Sequence, residues 1–181
     1  MDFPEFQTER LRLRRITESD VPDLFAFFSD PEVMKFYDCE AVRDHEEMLA
    51  FVRRFESWFE SGTGFRWGLA LKGTPGVIGT CGLFYWHKPY RIATLGYELA
   101  RHWHRQGFMS KALSLVLAYG FGHMQLNRVG ATVHTENAAS IATLEGLGFK
   151  REGLLRQAQY VNGRFDDLYA YALLREEWEG R

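Results

Sequence analysis

The chain predicts a mixed α/β fold, and three observations carry that prediction. Three short strand-like runs, "RWGLAL", "GVIGTCGLFYW" and "RIATLGYELA", follow one another at mid-chain. A β-α-β unit around an apolar helix comes directly after them. Two helices with apolar stripes come before. Antiparallel strands that lead into a crossover make a mixed sheet with helices on both faces.

Taken in order, "RLRLRRI" alternates Leu11, Leu13 and, less cleanly, Ile16 with arginines, as a strand with one dry face does. "TESDVPDLFAFFSD" offers Thr17 and Asp20 as a capping-box pair and a proline in the first turn. Its Val21, Leu24, Phe25 and Phe28 follow helical spacing, and "DPEV" is read as a stop. The stripe Met48, Phe51, Val52, Phe55 and Phe59 marks a second helix, which "SGTG" ends. The first two mid-chain strands are split by the turn signal "KGTPG", so the three read as an antiparallel meander. A buried helix follows over roughly 110–123, then strand "RVGATVHT", a short helix "NAASIATLEGLG" with Asn137 as N-cap, and strand "FKREGLLRQAQY". "VNGR" is a hairpin turn into a last strand that runs to a polar end. The predicted order is β-α-α-β-β-β-α-β-α-β-β. No repeat or low-complexity linker interrupts it, so one domain over 1–181 is expected.

Bulk properties exclude several classes. Hydrophobic content of 46% and charged content of 25% are those of a globular protein, and a net charge of −2 gives no drive toward nucleic acid or an anionic membrane. Aromatics at 15% predict a bulky core or a flat-walled pocket. Cys39 and Cys81 lack metal-ligand spacing and four-cysteine pairing, so no metal site is expected and a reducing cytoplasm is the expected compartment. "MDFPEFQTER" has no apolar run, and the most apolar stretch, 112–122, is too short for a bilayer.

The segment "ELARHWHRQGFMSKALSLVLAYGF" decides more than any other. Its polar turn Arg105-Gln106-Gly107-Phe108-Met109 opens a helix, where backbone amides and the helix dipole can grip a phosphate. The same glycine also suits a plain strand-to-helix connection. It is neither a P-loop nor a dinucleotide fingerprint, and the Lys and Ser/Thr of a nucleotide enzyme are not placed for it. From this segment alone both readings stand.

The order of "TERLRLRRITESDVPDLFAFFSDPEVMKFY", "WHRQGFMSKAL", "ENAASIATLEGLGFKREG" and "VNGRFDDLYAYALLREEW" resembles the Rim-type branch of the GNAT-superfamily N-acetyltransferases, which includes enzymes acetylating ribosomal-protein N-termini. The resemblance runs over nearly the full length. It implies a GNAT-like fold, a sheet splayed at its centre, with acetyl-CoA as co-substrate and no metal. The superfamily phosphate turn [Q/R]-x-x-G-x-[G/A] falls on His104 to Met109. It makes Arg105, Gln106, Gly107, Phe108, Met109 and Ser110 cofactor-binding. His104 and Met109 depart from that pattern, and Met109 either crowds the phosphate or points into the core.

Acetyl transfer to an amine needs a base, oxyanion stabilisation and protonation of the thiolate. The resemblance implies Glu98 as general base, alternatively a solvated strand-end carboxylate, and the Leu99 N–H as oxyanion donor. Many relatives carry a tyrosine seven residues after the capping asparagine, where this chain has Leu144. The N-x-x-S pattern of Asn137 and Ser140 implies a pantetheine contact and a sulfur contact instead, although both residues also suit a helix start. Asp167 matches an acidic position that receives a cationic amine, with Asp166 facing solvent. Trp86 is a candidate wall of the acceptor site, or core. The expected partners are acetyl-CoA and an amine acceptor, a protein N-terminus or a small amine, in a monomer or homodimer. The alternative is a catalytically inactive acyl-CoA-binding module of the same fold.

Overall fold

The computed structural model describes residues 2–180. One eight-stranded sheet runs β1 (Phe6–Gln7), β2 (Leu11–Arg15), β3 (Phe65–Leu71), β4 (Gly79–His87), β5 (Ile92–Leu99), β6 (Arg128–His134), β8 (Arg164–Leu174) and β7 (Lys150–Val161), in that spatial order. All neighbours are antiparallel except β5 and β6. That single parallel pair is joined by α4 (Phe108–Gly122), the crossover the sequence predicts.

The period-2 pattern of the strands divides the core in two. Trp67, Leu69, Cys81, Leu83, Leu95 and Leu99 face α4 and α5 (Ala138–Gly146), and Trp67, fully buried, donates its Nε1–H to Pro4 C=O at 2.7 Å. On the other face lie α1 (Val21–Phe28), α2 (Pro31–Met34) and α3 (His45–Glu60), whose Leu24, Phe28, Met48, Val52 and Phe55 form the second core. Asp44 caps α3 by accepting Glu47 N–H at 2.8 Å. Asn162 and Gly163, with φ of 53° and 76°, turn the β7–β8 hairpin, as a two-residue Asn-Gly loop requires. Among the described residues no helix is long and apolar enough to cross a membrane.

Three elements differ from the sequence reading, the first being β1, a strand it does not predict. "DPEV" does not only stop α1: Asp30 accepts Glu32 N–H at 2.9 Å and starts α2, with Pro31 at its first position. The polar end is a short helix, α6 (Arg175–Glu179), where Glu177 accepts Leu174 N–H at 2.9 Å.

The predicted Thr17–Asp20 pair is anchored from a third side. Asp20, buried, accepts Thr17 N–H at 2.9 Å and both Arg14 Nη atoms at 2.6 and 2.8 Å. Burial pushes the carboxyl up, but Arg14 and the Thr17 amide together outweigh it, so Asp20 sits below its ordinary range. A depressed folded value adds stability above the unfolded pKa and loses it as pH falls through the folded one. Denaturant melts should therefore show acid softening below about pH 4, and Asp20→Asn should be about 1–3 kcal/mol weaker at neutral pH with a flatter acid limb. An Asp20→Asn acid limb as steep as the wild type's would assign the softening to other carboxylates.

Candidate active site

β5 and β6 hold each other only at their starts. Ile92–Thr94 pairs with Arg128–Gly130, and beyond those residues the two strands are unpaired, which leaves a wedge. Ala100 N–H donates to Ile78 C=O at 2.8 Å, and this sets the alternation along β5. Glu98 and Gly96 then direct their backbone groups to β4, whereas Tyr97 and Leu99 turn theirs to the wedge. The Leu99 carbonyl is taken by His104 Nε2–H at 2.8 Å. His104, unusual against the superfamily turn, thus ties that turn to the strand end.

The turn closes on Gly107, which caps α4 with φ +76° and ψ 1°. A Cβ there would meet no atom within 4 Å, so the space above the glycine is open. Arg105 is also left-handed, at φ 60°. The first helical bond runs from Lys111 N–H to Gly107 C=O at 3.1 Å, which leaves the amides of Phe108, Met109 and Ser110 without a helical acceptor. Phe108 and Met109 bury their side chains in the core, and Met109 therefore does not crowd the amides. Gln106 turns back, donating Nε2–H to His102 C=O at 3.0 Å. No acidic residue stands in the first turn, and the Arg10 guanidinium lies 4.2 Å over the Phe108 ring. Open amides at a helix N-terminus are what an anionic group asks for.

Glu98 points to the opposite face and is not a solvated strand-end carboxylate. It is 6% exposed, and its oxygens accept from Arg66, from the Thr80 hydroxyl and, at 3.0 Å, from the Tyr37 hydroxyl. Arg66, itself buried, also donates Nε–H to Thr80 Oγ1 at 2.7 Å and Nη2–H to Tyr37 at 3.2 Å. The side chain reaches Glu98 across β4 because Gly96 leaves the way clear: a Cβ there would lie 2.7 Å from the Phe84 ring and 3.1 Å from Arg66 Nη1. Burial raises the Glu98 carboxyl above its ordinary range against the pull of Arg66. Burial and the Glu98 charge raise Tyr37 well above a free phenol.

On the other side of the wedge Asn137 caps α5, its Oδ1 accepting Ser140 N–H at 3.1 Å. Ser140 Oγ lies 2.7 Å from the Tyr97 hydroxyl. Leu144 is buried in the core and offers no proton. The remaining candidates fall elsewhere. Trp86 lies at the far end of β4 from Thr80, packed against Phe65 at the edge of the core, with its Nε1 buried and without a hydrogen-bond partner. Asp167 accepts Gln157 N–H at 2.7 Å where β7 bulges away from β8. Asp166 is turned inward, contrary to the sequence reading. Its side chain is 15% exposed, 3.0 Å from Arg164 Nε and 3.5 Å from buried His134 Nε2. The two aspartates do alternate across the strand, but the β7 bulge supplies the open backbone amide that Asp167 binds.

Arg66, Thr80, Tyr37 and Tyr97 carry much of this geometry and were missed in the sequence. A signal existed for Arg66, an arginine between Phe65 and Trp67 in a strand that otherwise reads as buried. A charge there needs a partner.

A splayed mixed sheet with a glycine-capped helix at the splay is the architecture of acyl-CoA N-acyltransferases. The Acetyltransferase (GNAT) domain family matches residues 10–150. The chain belongs to the GNAT family and is an N-acetyltransferase. It is 38% identical over 174 residues, 96% of this chain and 98% of the other, to "uncharacterized N-acetyltransferase YoaA" of Bacillus subtilis (strain 168). Among solved structures, a GNAT-family acetyltransferase from Bacillus anthracis superposes with a TM-score of 0.84 at 26% identity, covering 96% of this chain and 99% of that one. The fold is also that of RimL, described as a ribosomal L7/L12 α-N-protein acetyltransferase in complex with coenzyme A, at a TM-score of 0.84 and 23% identity over 92% and 95% of the two chains.

Proposed function

We propose that this protein moves an acetyl group from acetyl-CoA to a primary amine, a protein N-terminus or a small amine, by direct attack in a ternary complex. The observation that carries the reading is the wedge, with open amides at the start of α4 and the Leu99 N–H along its side. The open space over Gly107 fits a pyrophosphate, and the RimL structure holds coenzyme A on the same fold. When bound, acetyl-CoA supplies the activated acyl thioester.

The amides of Phe108, Met109 and Ser110, with the turn Arg105-Gln106-Gly107, hold the phosphates. Leu99 N–H donates to the carbonyl oxygen as negative charge grows on it. Asn137 has its Oδ1 committed to the cap, so its amide nitrogen faces the pantetheine arm. Ser140 hydrogen-bonds the sulfur. Glu98 takes the proton of the amine through Tyr37, the half-buried member of the network, whose hydroxyl passes its own proton to Glu98 as it receives another. An N-terminal amine, with a pKa near about 7.7–8.0, asks less of that base than a lysine at about 10.4. Asp167 is the weaker candidate for the cationic end of the acceptor.

One observation favours the binding module without turnover: Glu98 already accepts from three donors. Thiol release from acetyl-CoA across a panel of amines separates the two. Release above the hydrolysis background supports transfer, and tight binding without it supports the module. The phosphate site has its own test in Gly107→Val. A β-branched residue at φ +76° strains the turn by about 1–2 kcal/mol and fills the open space. Coenzyme A binding by calorimetry should vanish while the melt shifts only by that strain, and wild-type affinity in the variant would remove the site.

A further inference from the structure

Tyr97 is the residue that spans the wedge. Its strand neighbours Leu95 and Leu99 share its face and are core, while Tyr97 is only partly buried and reaches over to α5. Its one hydrogen has two acceptors on Ser140, Oγ at 2.7 Å, where either hydroxyl could be the donor, and the carbonyl at 3.3 Å, which only accepts; the shorter contact is the one it makes here. No ladder bond joins β5 to β6 at this level, so the Tyr97–Ser140 contact is a side-chain bridge across an open backbone gap.

The bridge rests on the acetyl-CoA reading above and sharpens it. We propose that Tyr97 is a positioning residue for acetyl transfer: by donating its O–H to Ser140 Oγ, it leaves the single Ser140 hydrogen free to point at the sulfur of coenzyme A. A serine hydroxyl alone rotates freely and spends its hydrogen on whichever acceptor is nearest, including its own helix carbonyls. With Tyr97 occupying one lone pair of Ser140, the hydrogen is directed away from the tyrosine. The departing thiolate then receives a hydrogen bond already in place when the C–S bond breaks. No proton leaves Tyr97. Burial raises its hydroxyl to about 12, and it stays a donor through the neutral range.

The test is Tyr97→Phe, which keeps the ring and removes the hydroxyl. Turnover should fall about 10–100-fold, as loss of an orienting partner behind a contacting residue does, with the acetyl-CoA KM nearly unchanged. Ser140→Ala should fall at least as far, and the double variant no further than Ser140→Ala alone. A second readout needs no acceptor amine. The ultraviolet thiolate band of bound coenzyme A should titrate at lower pH in the wild type than in Tyr97→Phe. Independent, multiplying losses or identical thiol titrations would overturn the role of Tyr97. Failure of the wild type to bind coenzyme A at all would instead overturn the reading it rests on.

Discussion

Glu98→Gln should lower turnover by about 10²–10⁴-fold, the range lost when a positioned base is removed, while coenzyme A still binds. The argument starts from burial. A carboxylate in solvent near neutral pH is a weak base for an ammonium, but burial raises Glu98 above its ordinary range and increases its proton affinity. Gln keeps the shape and can still meet Thr80 and Tyr37, yet it cannot take a proton. The sign in pH follows. A base works only when ionised, so wild-type kcat/KM should fall as pH drops through the folded value of Glu98. That limb should lie above the ordinary glutamate range of about 4.3. In Glu98→Gln the limb should disappear along with the rate. A variant that keeps both the limb and more than a tenth of the rate would move the base elsewhere. Because Gln leaves Arg66 charged and unpaired, thermal melts must accompany the kinetics and fix a temperature at which both proteins are folded.

What the sequence made legible were the features that depend on local spacing. The stripe of α3, the Asn137 cap and the left-handed glycine of the α4 turn are each written within a few residues and survive in the fold. What it hid were pairings between distant segments. Nothing near Glu98 announces Arg66, 32 residues before it in the chain, or Tyr37, 61 residues before it. Arg66 meets it because β3, β4 and β5 lie side by side in one register, with Thr80 directly opposite Glu98, and Tyr37 comes in from the segment after α2. The inward turn of Asp166 was hidden for a similar reason. Alternation says only that neighbours face opposite ways, and which of them turns inward depends on the pairing of β8 with β6, whose buried His134 lies beside Asp166. Trp86 is the converse case: of the two readings the sequence left open, acceptor wall or core, its packing against Phe65 favours the core.

Arg66→Ala should cost about 3–5 kcal/mol in a denaturant melt, since it strands the Glu98 carboxylate in the core without its charge partner. The size of that loss does not mean that the pair stabilises the fold. Both side chains are almost wholly out of water, at 2% and 3% exposure, and desolvating two charges offsets most of what their attraction returns. The decisive comparison is the double variant Arg66→Met with Glu98→Leu, which removes both charges and fills the space with apolar atoms. It should recover most of the stability lost by Arg66→Ala while remaining as inactive as Glu98→Gln. That outcome would mean the site is kept for proton transfer and the fold tolerates it at a cost. A double variant as unstable as Arg66→Ala would show instead that the network of Arg66, Thr80, Tyr37 and Glu98 holds β3, β4 and β5 to the segment that follows α2, and that chemistry uses a pair already required for folding.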